Sequence, residues 1–395
     1  MTVEERIQKI QQLLREEACS AWLFYDFRGS DPIAYRVLGL DAGAHTTRRW
    51  FYLVPAEGNP VKLVHRIEAA RLDPLPGERR IYLQWQSLRR GLCDMVAPHP
   101  QVAMQYSPEA AIPYVSRVDA GTVELVRAAG AEVVSAGDLL QHLECVWSAE
   151  QLASHRRAAG HLARIVREIF NWIASRLRAG TATTEQQVQH RLLEEMKGVK
   201  LVTDFPPIVA VGSHAGDPHY APELGQETPI EPDRLVLVDI WAKDSLPGSV
   251  YADITWTAFY GAEVPDRVRR VFEVVREARD AGVAFLRERL RTGQTVRGYE
   301  VDNAVRSVIE KAGFGEAFIH RTGHNLGEEV HGNGVHFDDL ETHDNRRVIS
   351  GIACTVEPGI YLPDFGIRNE IDVYLHPDDV EVTTETQDKL WHFRV

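Results

Sequence analysis

The sequence predicts two domains, an α/β domain over residues 1–147 followed by an α+β domain over residues 148–395. Three observations predict this. The chain has 395 residues, too many for one ordinary core and suited to two. In the first part, short apolar runs alternate with helical periodicity. In the second, helices are grouped apart from strands, the pattern of one curved sheet with helices on one face.

Composition narrows the class. Hydrophobic residues make up 44% of the chain and charged residues 26%, a globular and soluble balance. The formal net charge of −13 argues against a general grip on nucleic acid or anionic lipid. No run reaches the ~18 apolar residues of a membrane span. The acidic start, Met1-Thr2-Val3-Glu4-Glu5, does not read as a signal peptide. Cys19, Cys93, Cys145 and Cys354 are scattered, without metal-ribbon or disulfide-framework spacing. The expectation is a cytoplasmic, enzyme-sized protein with no nucleic-acid and no membrane partner.

The elements follow in order. Thr2 and Glu5 have capping-box spacing, and Val3, Ile7, Ile10 and Leu14 recur at helical intervals to about Glu17. Ala21-Trp22-Leu23-Phe24-Tyr25 reads as a buried strand. Further strands are expected at Trp50–Val54, Val61–Val64, Ile81–Leu83, Val102–Met104 and Glu132–Val134, with helical stretches near 109–128 and 137–145. The texture changes around Trp147. Ser148 is placed to cap a long helix to about Arg178, with Leu152, Ala159, Leu162, Ile165, Ile169 and Ile173 as its buried stripe. Gly180 ends it. A second helix is expected over Thr184–Lys197. Strands are expected at Ile208–Val211, Arg234–Trp241, Val250–Tyr260, Ala353–Glu357 and Ile367–Leu375, and helices at 265–291 and 298–312.

Four carboxylates stand in apolar strand contexts. Asp239 closes the run Leu235-Val236-Leu237-Val238. Burying an unpaired charge there costs several kcal/mol. Period-two alternation puts Tyr251, Asp253, Thr255 and Thr257 on one face. Glu357 stands at another strand end, and Glu370 sits in Gly366-Ile367-Arg368-Asn369-Glu370-Ile371-Asp372-Val373. If the four converge, their repulsion demands cations, and two divalent ions balance four carboxylates. The remaining donor is expected among the histidines of the glycine-rich stretch 320–332. Taken singly, each residue is weak. A lone strand Asp is more often exposed, and one of 16 histidines is more often surface or core.

Order and context together resemble the pita-bread metallopeptidases, a family that includes prolidase, Xaa-Pro aminopeptidase and methionine aminopeptidase, with creatinase as a metal-free relative. Glu357-Pro358-Gly359-Ile360-Tyr361 and Gly366-Ile367-Arg368-Asn369-Glu370 carry the resemblance. It implies a curved antiparallel sheet covered by helices over 148–395, and a creatinase- or prolidase-type N-terminal domain over 1–147. It implies Asp239 on one metal, Asp253 and Glu370 bridging both, and His324 and Glu357 on the other. It further implies Glu357 as a proton relay, His219 and His331 on the substrate side, and Arg368 orienting Glu370 or a substrate carboxylate. Two divalent ions are expected, manganese first, with cobalt, zinc or iron as alternatives. The resemblance also implies a homodimer in which His45 or Arg48 reaches a neighbouring active site.

Three features depart from the pattern. The segment Ile240–Ala252 is long, with a hairpin turn around 243–248. Trp256 stands where relatives have arginine, and Asn325 where glycine is common. All three are expected near the substrate. There is no Gly-x-Ser-x-Gly elbow, His-Glu-x-x-His helix or Walker loop. The expected function is hydrolysis of Xaa-Pro bonds in small peptides. The alternative is a metal-dependent hydrolase or lyase of a small non-peptide metabolite on the same fold. A binding module that has lost its ligands fits poorly, because all five are present.

Overall fold

A computed structural model describes residues 1–222 and 228–395. The chain divides into two compact units, Met1–Glu144 and Cys145–Val395.

The first unit runs α1 (Val3–Glu16), β1 (Ala21–Asp26), α2 (Pro32–Leu38), β2 (Trp50–Pro55), β3 (Val61–His65), β4 (Glu78–Tyr82), α3 (Trp85–Val96), β5 (Gln101–Met104), α4 (Ala120–Ala128), β6 (Glu132–Ser135) and α5 (Gly137–Glu144). The Thr2–Glu5 capping box is formed. The sheet order is β4-β3-β2-β1-β5-β6. Strand β1 is buried along its whole length because it is internal, antiparallel to β2 and parallel to β5. A continuous apolar run is what such a position requires. Two helices, α2 and α3, lie where no element was expected. The stretch near 109–128 holds two short 3₁₀ turns at Pro108–Ala110 and Pro113–Val115 before α4. Pro108 and Pro113 each stand at a first helical position, where the missing N–H costs nothing.

The second unit runs α6 (Ala149–Arg178), α7 (Glu185–Gly198), β7 (Leu201–Val202), β8 (Ile208–Val211), β9 (Arg234–Asp244), β10 (Ala252–Tyr260), α8 (Asp266–Arg291), α9 (Gly298–Lys311), β11 (Asn325–Leu326), β12 (Ala353–Val356), β13 (Gly359–Tyr361), β14 (Gly366–Arg368), β15 (Ile371–Leu375), β16 (Val380–Val382) and β17 (Trp391–Phe393). Ser148 caps α6 and forms a capping box with Gln151. One sheet has the order β17-β10-β9-β7, with β8 also on β9; a second has the order β11-β12-β15-β16; β13 and β14 form a hairpin.

Alternation sorts the two faces of β9 and β10. Val236, Val238, Ile240, Ala252, Ile254 and Trp256 join the core built with α6 and α7. Asp239, Asp253 and Thr255 have the opposite parity and face away from those helices. The strand expected over 367–375 is two strands, broken at Asn369-Glu370. The break has a cause. The Asn369 N–H bonds to the Pro358 carbonyl (3.3 Å) and the Glu370 N–H to the Thr255 carbonyl (3.2 Å). Arg279 of α8, buried, donates to Asn369 Oδ1 (2.8 Å). On either side of the kink, Arg368 and Glu370 both reach Thr255 of β10.

Candidate metal centre

Asp239 lies on β9, and its register partner on β10 is Thr255, two residues beyond Asp253. The 2.0-residue alternation of strands places all three side chains on one face. Glu370 arrives from the β14–β15 kink, and Glu357 follows β12 directly. His324 precedes β11. A glycine before it is required, because a Cβ on Gly323 would meet the Thr355 carbonyl oxygen at 2.0 Å.

Donor atoms of Asp253, His324 and Glu370 all lie within 4.8 Å of one another. His324 Nε2 is 3.4 Å from Glu357 Oε1 and 3.7 Å from Asp253 Oδ2. The other ring nitrogen, Nδ1, faces the Asn325 carbonyl at 3.4 Å, so the proton belongs there and Nε2 presents its lone pair to the carboxylates. Burial holds the His324 pKa well below the usual imidazole value, with His331 and Arg321 adding to the effect. The ring is therefore held toward its neutral form, with Nε2 turned to the carboxyl groups. Asp239 is paired with Arg368 and lies at the same cavity.

Charge is badly balanced without cations. Burial, then Glu370 and Asp239, drive the Asp253 carboxyl well above its ordinary range. Burial, then Glu357 and Asp239, do the same to Glu370. Glu357 is raised to about 7 by burial, against the pull of Arg368. Asp253 Oδ1 is buried with no hydrogen-bond partner among the described residues. Oxygen and imidazole lone pairs converging on one point, with one of them left bare, suit divalent metal ions.

Two hydroxyls tie the cluster together. Thr255 Oγ1 donates to Glu370 Oε2 (2.6 Å) and accepts from Arg368 Nε (2.9 Å). Thr355 Oγ1 donates to Glu357 Oε1 (3.1 Å) and accepts from the His324 N–H (2.9 Å). Arg368 also donates to Tyr361 Oη (3.0 Å) and the Pro218 carbonyl (3.3 Å), and it pairs with Asp239. Tyr361 Oη is 2.8 Å from His320 Nε2, whose ring faces the Arg321 carbonyl through Nδ1.

The cluster opens into a cavity of about 490 Å³. All eight expected site residues line it: Asp239, Asp253, His324, Glu357 and Glu370 with His219, His331 and Arg368. His331 stands edge-on to His324, with ring centroids 4.4 Å apart. His320 falls within the stretch expected to supply the histidine donor, whereas Thr255, Thr355 and Tyr361 carry no expected role. Alternation already put Thr255 beside Asp253, but no pattern in the sequence announces which hydroxyl joins which ligands.

Two of the three expected departures, Trp256 and Asn325, lie outside the cavity lining. Trp256 is buried on the α6–α7 face of the sheet, against Trp391 and beneath Arg167. The parity that aims Asp253 and Thr255 at the cavity aims Trp256 away from it. Asn325 is buried too. Its Oδ1 accepts from the Gly334 N–H (2.9 Å) and its Nδ2 donates to the Ala353 carbonyl (3.0 Å). It pins the turn after His331 and does not line the cavity. Residues 243 and 244 end β9, paired with β7, and the hairpin turn to β10 spans 245–248, outside the cavity lining; Trp241, at the start of the long segment, does line the cavity.

A sequence model of metallopeptidase family M24 matches residues 153–377, more than half of the chain. The chain belongs to metallopeptidase family M24. Among curated relatives, an Xaa-Pro dipeptidase of Lactobacillus delbrueckii subsp. lactis is 33% identical over 205 residues, which cover 52% of this chain and 50% of that protein. The M24 chain thus aligns with about half the length of the first curated relatives it matches. The solved structure of dipeptidase PepE from Mycobacterium ulcerans has 22% identity and a TM-score of 0.72, covering 100% of this chain and 98% of that one. An X-prolyl aminopeptidase from Caenorhabditis elegans, described as cytosolic with a di-nuclear active site, has 16% identity and a TM-score of 0.62, covering 97% of this chain and 62% of that one. At these identities the likeness shows the fold, which is the pita-bread fold in the second unit.

Proposed function

We propose that this M24 chain is a divalent-metal peptidase that cleaves Xaa-Pro bonds in small peptides. The observation that carries the metal reading is the convergence of Asp253, His324 and Glu370, with a bare buried carboxylate oxygen among them. In this reading Asp253 and Glu370 would serve two ions in common, Asp239 would serve one, and His324 with Glu357 would serve the other. Manganese is the first choice of metal, with cobalt, zinc and iron behind it. When bound, such ions would supply Lewis-acid chemistry, polarising a scissile carbonyl and lowering the pKa of a water.

The chain's own groups do the rest. Arg368 spends its donors on Asp239, Thr255, Tyr361 and Pro218, so its role is to orient ligands, directly for Asp239 and through Thr255 for Glu370. Glu357, at the cavity beside His324, is read as carrying a proton to a leaving amine. His219, on an exposed loop, is read as steadying the tetrahedral intermediate from the substrate side, and His331, on the cavity wall, as lining the substrate pocket. The Xaa-Pro specificity is supported by the Lactobacillus relative. The first unit is read as a creatinase-type N-terminal domain in a cytoplasmic homodimer. No helix among the described residues is long and apolar enough to cross a membrane. In the first unit His45 and Arg48 line a cavity with Phe27 and Tyr35.

The test is a small panel. Manganese- or cobalt-loaded protein is offered Ala-Pro, Gly-Pro and an Xaa-Pro tripeptide. Turnover of at least one supports the reading, and cleavage of the dipeptides alone selects dipeptidase over aminopeptidase. No turnover of any, with metal bound, transfers the chain to the non-peptide alternative.

A further inference from the structure

Asp372 is a further buried carboxylate next to the site, and none of the roles above uses it. It is fully buried. It sits on β15 opposite Thr355 of β12, the residue whose hydroxyl joins His324 to Glu357. Its Oδ2 accepts the backbone N–H of Asp253 at 2.9 Å. Its Oδ1 has no hydrogen-bond partner among the described residues. A buried carboxylate with half its acceptors bare is costly, so packing alone does not account for it.

Its own backbone is held firmly. The Asp372 N–H donates to Thr384 Oγ1 (2.9 Å), and the Asp372 carbonyl accepts from the Thr383 N–H (2.9 Å). Two residues before Asp253, the Tyr251 carbonyl is gripped by His155 Nδ1 of α6 at 2.8 Å. The imidazole is buried, its other nitrogen 2.7 Å from Thr383 Oγ1 and 3.8 Å from Asp372 Oδ2. The start of β10 is therefore clamped twice, at the carbonyl of Tyr251 and at the amide of Asp253. The β9 partnership does not provide the second clamp, because that amide points away from β9 toward β15.

We propose that Asp372 is a positioning residue that fixes the backbone of Asp253 and so sets the aim of its carboxylate at the metal ions. The inference rests on the metal reading of the site. Outer partners of metal ligands are typically worth about 10–100-fold in affinity.

The test is calorimetric titration of manganese into chelator-treated protein, with folding checked by circular dichroism. Asp372→Ala should bind manganese about 10–100-fold more weakly. Asp372→Asn keeps an acceptor oxygen for the Asp253 N–H and should bind within a few-fold of the unaltered chain. A general structural role would not be rescued selectively in this way. Unchanged affinity in Asp372→Ala overturns the proposal. So does a tenfold or greater loss in Asp372→Asn, and this second result decides the matter if the alanine variant does not fold. If the unaltered chain binds no manganese, the metal reading falls first and this inference with it.

Discussion

Thr255 carries no charge, yet its single hydroxyl joins Arg368 to Glu370 and its carbonyl holds the Glu370 amide. Thr255→Val keeps the shape and removes both side-chain bonds. It leaves a charged donor and a carboxylate oxygen unpaired, at a cost of roughly 1–3 kcal/mol. The expected outcome is a 10–100-fold fall in kcat on Xaa-Pro substrates, with a lower melting temperature in the metal-free protein. Steady-state kinetics and thermal melts check it. At this scale the charged residues were legible, because a carboxylate ending an apolar strand is conspicuous. The neutral partners were not. A threonine in a strand is ordinary, and only the fold reveals that Thr255 and Thr355 each bridge two site residues. Trp256 and Asn325 show the opposite error. Departure from a pattern drew attention to them, while strand parity and burial assign them to the core and to a turn.

Elements deliver these residues through a few backbone decisions. The parity of β9 and β10 puts Asp239, Asp253 and Thr255 on one face, and this was readable from alternation. The kink between β14 and β15 was not, since it is made by long-range bonds from Pro358, Thr255 and Arg279. Helix α6 contributes more than its apolar stripe. His155 anchors β10 from within that stripe, and burial lowers its pKa to about 4. A base with a depressed folded pKa binds fewer protons folded than unfolded between about 4 and its ordinary value of 6.5, so stability rises with pH across that window and is lost as pH falls through it. His155→Gln removes this proton linkage, on the order of 3 kcal/mol. The variant is expected to be less stable than the unaltered chain at pH 7, with the gap narrowing toward pH 4.5. Urea unfolding at the two pH values measures it.

At the scale of the whole molecule, the two-part division was visible as a change of texture near Trp147, and the structure divides between Glu144 and Cys145. Unit 2 carries every expected metal ligand. Its buried carboxylates repel one another, and one Arg368 guanidinium cannot offset four of them. Ions that bind only the folded state add stability by mass action. Chelation is therefore expected to lower the melting temperature, and readdition of manganese to restore it. The central claim is that Asp239, Asp253, His324, Glu357 and Glu370 together hold two divalent ions. Metal analysis of the manganese-titrated protein, beside an Asp253→Asn, Glu370→Gln double variant, tests it most directly. Two ions per unaltered chain and a loss of both in the variant are expected, because these two residues would serve both ions. An unaltered chain that binds none, or a variant that still holds two, would contradict it.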